Sequence, residues 1–120
     1  MTPKPVVLVV EDEPLLRLFA TDMIEDAGFQ VIDVANAAEA ILVLETRPDV
    51  RIVFTDVDMP GGIDGIKLGA CIRDRWPPIE IIITSGKPWP IGIKAPERSV
   101  FSSKPYRQDR VIETIQRMAA

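Results

Sequence analysis

Apolar residues follow two rhythms along this chain. Short continuous runs, rich in β-branched residues, alternate with stretches in which apolar positions recur every three or four residues. The first run is Pro5 to Val10. Pro14 then stands where a helix can begin. Leu15, Phe19, Met23 and Ala27 follow at i, i+4 spacing and predict one apolar helix face, which Gly28 ends. A second run spans Phe29 to Val34. Asn36 with Glu39 three residues on resembles a capping box, opening a helix striped by Ala37, Ile41 and Leu44 and closed by Pro48. The third run is "RIVFTD". After a glycine-containing turn, Asp64 can cap a helix with Leu68, Ala70 and Ile72 inward, ending before Pro77 and Pro78. "IEIIIT" is a fourth run and "SVFSS" a weaker fifth. A last helix follows Lys104-Pro105, with Val111, Ile115 and Met118 on one face.

Strand and helix patterns in alternation predict an α/β fold around a parallel sheet. The near-continuous apolar strands fit a sheet covered on both faces. Such folds place their sites at the carboxyl ends of the strands, near a reversal of strand order. One segment breaks the rhythm. "GKPWPIGIKAPE", residues 86 to 97, carries Pro88, Pro90 and Pro96 with Gly86 and Gly92. An interior proline costs a helix about 3 kcal/mol, so a turn around Ile91 to Ala95 is the most this crossover is expected to form.

Length and composition narrow the chemistry. The 120 residues suit one domain, 1–120, and 47% hydrophobic with 27% charged residues is ordinary for a globular chain. No apolar stretch nears the ~18 residues of a membrane span. The start, "MTPKPVVLVV", lacks the pattern of a signal peptide, so a cytoplasmic location is expected. One cysteine, Cys71, excludes an internal disulfide and a thiolate cluster. Without any histidine, histidine-dependent triads and metal sites are excluded. A net charge of −4 argues against a nucleic-acid surface.

The residues at the strand ends then carry the interest. The first strand delivers Glu11 and Asp12, the third Asp56, the fourth Thr84, and Lys104 follows the fifth. Three carboxylates in one pocket repel one another. At ~4 Å each pair costs about 4 kcal/mol at an effective dielectric near 20. A cation relieves this. Oxygen donors without histidine or thiolate suit a hard ion, and Mg²⁺ is the natural choice. Mg²⁺ and Lys104 together would cancel the three negative charges. A neutralised carboxylate beside a hydroxyl and an ammonium is placed to attack a phosphoryl group.

Those residues, in that order, resemble a response-regulator receiver domain of bacterial two-component signalling. The resemblance covers essentially the whole chain. It rests on Glu11-Asp12, Asp56 followed by Met59-Pro60 and Asp64-Gly65, Thr84 after the fourth strand, and Lys104-Pro105. It implies a doubly wound, five-stranded parallel sheet in the flavodoxin-like order 2-1-3-4-5, with the usual fourth helix shortened or absent at the proline-rich segment. It implies that Asp56 accepts a phosphoryl group from phosphohistidine on a histidine kinase or histidine phosphotransfer protein. Asp12, Asp56 and the backbone carbonyl of Asp58 would hold Mg²⁺, with Glu11 acting mainly through a water. Thr84 and Phe101 would switch, Lys104 would pair with the phosphoryl group, and the Lys104-Pro105 bond would be cis. The output would be protein binding or onward transfer, by a monomer or weak dimer. Beyond this self-phosphorylation and slow dephosphorylation, no conventional enzyme activity is expected. "MPGGIDG" is one residue longer than the common form of its loop.

Other readings stay open on the sequence. "VFTDVDMP" also resembles the first motif of haloacid-dehalogenase-type phosphatases, with Asp56 as nucleophile and Asp58 as acid, although only Asp109 and Glu113 remain for its later metal motif. A phosphorylation-independent binding module is the third reading. Taken singly, Glu11 and Asp12 read as helix caps, Glu13 as a favourable charge in a first helical turn, Cys71 as a small buried residue, and Lys87 and Lys94 as solvated charges. Trp89 fits either an exposed contact or a ring folded back over the sheet edge.

Overall fold

The computed structural model describes residues 5–57 and 65–120. Strand β1 (Val6–Val10) leads to helix α1 (Pro14–Asp26), β2 (Gln30–Val34), α2 (Ala37–Thr46) and β3 (Val50–Asp56). Then come α3 (Gly65–Arg75), β4 (Glu80–Ser85), β5 (Ser99–Ser103) and α4 (Gln108–Ala119). All five strands run parallel in the order β2-β1-β3-β4-β5. The order reverses between β1 and β3, which opens a crevice at their carboxyl ends.

Strand alternation splits the core into two layers. Val6, Leu8 and Val10 join Ala37, Ala40, Leu44, Leu68 and Ile72 beneath α2 and α3. Val7 and Val9 join Ala20, Met23, Ile24, Val111 and Ile115 beneath α1 and α4. Every residue of β1 is buried, because helices cover both of its faces.

Local chemistry fixes the helix ends. Glu13 is the N-cap of α1 rather than a first-turn charge, its carboxylate accepting from the Leu15 N–H, and Pro14 follows. The Asn36 side chain accepts from the Glu39 N–H at 2.9 Å, while Glu39 reaches back to the Ala35 N–H at 2.8 Å. Gly28 turns the chain out of α1 at φ 97°, a conformation glycine adopts freely. The expected cap Asp64 lies outside the described residues.

Two helix faces differ from those expected. On α1, Leu15 and Phe19 are exposed (75% and 46%), and the buried residues are Ala20, Met23 and Ile24. The stripe is turned because Ala20 and Ile24 lie at i, i+4 and pack against β1. On α3, Ala70 is exposed, and Gly65, Leu68, Gly69 and Ile72 are buried. Residues 68 and 72 share a helical face, whereas residue 70 lies off it.

Between β4 and β5 the chain forms no helix. Residues 86–98 instead make a strap, with a turn closed by the Ile93 N–H on the Pro90 carbonyl. Arg73 anchors its far end, donating to the carbonyls of Glu97 (2.7 Å), Ile79 (2.8 Å) and Pro77. Pro96 packs on Gly69, where a Cβ would stand 3.2 Å from the proline ring. Trp89 folds back against Phe101 rather than standing free.

Candidate functional site

The sheet register gathers the strand ends. Val10 pairs with Thr55, Asp56 with Thr84, and Thr84 with Ser102. Hydrogen bonds extend this order just past the strands. The Glu11 N–H donates to the Val34 carbonyl (3.1 Å), Val57 to Thr84 (2.8 Å) and Lys104 to Ser85 (2.8 Å). Glu11, Asp56, Thr84 and Lys104 therefore arrive at one rim because their strands end together. Asp12 follows Glu11 and stands exposed.

Glu11, Asp12 and Asp56 can each bring a carboxylate oxygen within 4.8 Å of the others. Lys104 Nζ lies 3.3 Å from Asp56 Oδ2 and 3.5 Å from Glu11 Oε1. Among the described residues one ammonium thus faces three carboxylates, and their charges do not balance. Asp56 Oδ1 is buried and, among the described residues, has no hydrogen-bond partner. A buried, ionised oxygen without a partner is costly. An oxygen-seeking cation or a phosphoryl group would satisfy it, so the donor set fits Mg²⁺. Burial pushes the Glu11 carboxyl above its ordinary range. The Glu13 N–H, which donates to Glu11 Oε2 at 3.1 Å, opposes that shift; the Asp56 charge adds to it and Lys104 opposes it.

Thr84 is almost wholly buried, and its hydroxyl donates to the Thr55 carbonyl at 3.5 Å, the limit of a hydrogen bond. A better acceptor beside Asp56 would capture it. Lys104-Pro105 is cis, as expected from the resemblance. Asp58, the remaining candidate ligand, lies outside the described residues. Phe101 sits on β5, facing the α2/α3 layer with its ring against Trp89.

Three parts of the site escaped the sequence reading. Gly65 lies so close to Asp56 that a Cβ would stand 2.2 Å from the Asp56 carbonyl oxygen. Its place in the motif was visible, but the close approach was not. Tyr106 lines a cavity of about 430 Å³ with Glu11, Thr84, Lys104, Leu16 and Phe19. Its ring meets Phe54 edge-on at 5.7 Å. Burial raises its phenol above the ordinary value, with Glu11 and then Asp56 adding to the shift. Its position directly after Lys104-Pro105 was the available signal. The third part is the exposed apolar end of α1: Leu15, Leu16, Leu18 and Phe19.

The expected acids of the phosphatase reading lie elsewhere. Asp109 forms a 2.8 Å surface pair with Arg107, and Glu113 is exposed on α4. Among the described residues the carboxylate cluster is Glu11, Asp12 and Asp56.

The family model described as response regulator receiver domain matches residues 7–116. The chain belongs to this family. The receiver is 31% identical over 120 residues to the C4-dicarboxylate transport transcriptional regulatory protein DctD of Rhizobium meliloti (strain 1021), an alignment covering 98% of this chain and 26% of DctD. The chain spans about a quarter, or less, of the length of the curated relatives it matches. The crystal structure of a response regulator receiver protein from Sinorhizobium medicae WSM419 superposes with a TM-score of 0.85 at 25% identity, covering 97% of this receiver and 94% of that chain. The response regulator TrrA of Thermotoga maritima, solved in complex with Mg²⁺-BeF, superposes with a TM-score of 0.85 over 95% of this chain and 98% of its own. At 22% identity that likeness concerns the fold. Among the described residues, no helix is long and apolar enough to cross a membrane.

Proposed function

We propose that this receiver accepts a phosphoryl group on Asp56 from a phosphohistidine of a kinase or phosphotransfer protein. The observation that carries this reading is Asp56 Oδ1, buried without a partner, beside Lys104 at 3.3 Å from the other carboxylate oxygen. Asp56 attacks phosphorus, a P–O bond forms, and the P–N bond to imidazole breaks. The leaving nitrogen keeps the electron pair, and the product is an acyl phosphate. Lys104 and Thr84 bind the equatorial oxygens, whose charge the preorganised cations stabilise as it develops. Asp12 and Asp56, with Glu11 in support, would hold Mg²⁺. Such an ion would supply charge neutralisation and a Lewis acid for the phosphoryl oxygens. Water later attacks phosphorus, which returns the carboxylate and releases inorganic phosphate.

The exposed apolar end of α1 supports a protein donor. Leu16 and Phe19 border both solvent and the cavity leading to Lys104 and Thr84. A contiguous apolar patch of this kind marks an interaction surface. A partner helix resting there brings its histidine towards Asp56 and excludes water from the transfer.

Phosphotransfer from a panel of the host's phosphorylated histidine kinases tests the reading. One kinase is expected to transfer fast to the wild-type receiver and not to the Asp56→Asn variant. Equal transfer to that variant would refute the assignment of Asp56. Labelling by no kinase, with partner binding unchanged in Asp56→Asn, would favour the phosphorylation-independent module.

A further inference from the structure

Only three residues, Glu11, Asp12 and Glu13, separate β1 from α1, and the first two bring their carboxylates to Asp56. The backbone of Glu11 is held on both sides. Its N–H donates to the Val34 carbonyl at 3.1 Å, and its carbonyl accepts from Arg17 Nη1 at 3.0 Å. Arg17 stands in the first turn of α1, where its own N–H donates to the Glu13 carbonyl at 2.9 Å. A second nitrogen of the same guanidinium, Nε, lies 3.3 Å from Asp33 Oδ2 on β2. One side chain thus fastens the end of β1 to both α1 and β2. A planar fork with fixed donor directions can hold two such acceptors, whereas the compact ammonium of a lysine cannot reproduce that geometry.

We propose that Arg17 is a positioning residue for the Mg²⁺ site, acting through the Glu11 carbonyl to aim Asp12. The inference rests on the metal reading above and extends it to a residue outside the carboxylate cluster. The Glu11 carbonyl and the Asp12 N–H belong to one planar peptide unit. Fixing the direction of the carbonyl therefore fixes the plane that carries the Asp12 Cα. Asp12 is exposed, so packing does little to hold it. The Glu11 side chain is held separately, by the Glu13 N–H on Oε2 at 3.1 Å. A guanidinium–carbonyl bond is charge-assisted and stronger than a neutral one. Without it the peptide between Glu11 and Asp12 is freer to rotate, and binding must order it, which weakens affinity. Charge and position act in opposite directions here. Arg17 is a cation beside the acidic cluster, so by Coulomb's law alone its removal would tighten Mg²⁺ binding. A positioning role predicts the reverse.

Calorimetric titration of the whole chain with Mg²⁺ separates the two, with the fold of each variant checked by circular dichroism. Wild type is expected to bind saturably and Asp12→Asn weakly. No saturable binding by wild type, or undiminished binding by Asp12→Asn, would overturn the metal reading and the positioning with it. Arg17→Ala is expected to bind roughly tenfold more weakly, the low end for residues that orient metal ligands. Arg17→Lys keeps the charge and is expected to fall between wild type and Arg17→Ala. Arg47→Ala removes an equal charge just before β3 and is expected to leave the affinity unchanged. Binding by Arg17→Ala as tight as wild type, or tighter, would overturn the positioning role and leave the metal reading standing. If Arg17→Ala does not fold, Arg17→Lys decides alone, and an unchanged affinity would overturn the role. Acetyl-phosphate labelling gives a second readout. In Arg17→Lys the Mg²⁺ concentration for half-maximal labelling is expected to rise, with the rate at saturating Mg²⁺ close to wild type. A loss of rate that saturating Mg²⁺ does not restore would overturn an action through the metal site.

Discussion

At the scale of single residues, the site is governed by an imbalance among the described residues: three carboxylates, one ammonium and one buried oxygen without a partner. Lys104 therefore serves two opposed ends. In the proposed reaction it would attract the phosphoryl oxygens, and its charge opposes a cation at the same carboxylates. Lys104→Met is expected to bind Mg²⁺ several-fold more tightly, read by calorimetric titration, while phosphoryl transfer slows. Weaker Mg²⁺ binding would contradict the placement of Lys104 against Asp56. Tyr106 reports the same field independently. As the chain's single tyrosine, it can be titrated alone by its ultraviolet absorbance. Asp56 raises its pKa by opposing the phenolate, so Asp56→Asn is expected to lower that pKa towards the ordinary value. The folded state holds the phenol proton more tightly than the unfolded chain. Stability from this group is thus intact below a pH of about 10 and is lost as pH rises past it. Gly65 is limited by space. Gly65→Ala would drive a Cβ into the Asp56 carbonyl, and a loss of about 1–3 kcal/mol in denaturant unfolding is expected, with slower labelling. That Gly65 belonged to a motif was legible in the sequence. The reason was not, because it is a contact between segments remote from any local pattern.

At the scale of elements, turn and cap chemistry was read well where the partner lay within a few residues. Asn36, Glu39, Pro14 and Gly28 act where their neighbours placed them. The face of helix α1 was read only in part, Met23 being buried as expected and Leu15 and Phe19 exposed, for a physical reason. Leu15, Leu16, Leu18 and Phe19 surround its first turns, so apolar spacing alone could not say which side faces the sheet. That apolar surplus is what supports the docking surface proposed above. The strap is the opposite case. Its prolines excluded a helix from sequence, but the orientation of Trp89 and the reach of Arg73 depend on tertiary contacts. From α3, Arg73 holds two carbonyls of the α3–β4 connection, Pro77 and Ile79, and one of the strap, Glu97. Arg73→Ala is expected to cost about 1–2 kcal/mol and to speed proteolysis within residues 86–98. Limited proteolysis followed by mass spectrometry reads this out, and unchanged cleavage would contradict the anchor.

At the scale of the whole molecule, one sheet serves two cores, and the site sits where both end. The strand order placed Asp56 between β1 and β4, so neither layer alone builds the pocket. Unfolding is expected to be a single transition in which the site and both layers are lost together. Ile115→Ala, at a fully buried position on α4, is expected to lower stability by about 2–5 kcal/mol without splitting that transition. The fold was legible because alternating runs of five strands leave few arrangements. The family residues then fixed the strand order that periodicity could not. The most direct test of the phosphoryl site is the intact mass of the chain after acetyl phosphate and Mg²⁺, with peptide mapping of the product. One phosphoryl group per chain is expected, stable in acid and labile in base, mapping to Asp56 and absent from Asp56→Asn. A label mapping to another residue, or one that persists in Asp56→Asn, would contradict it.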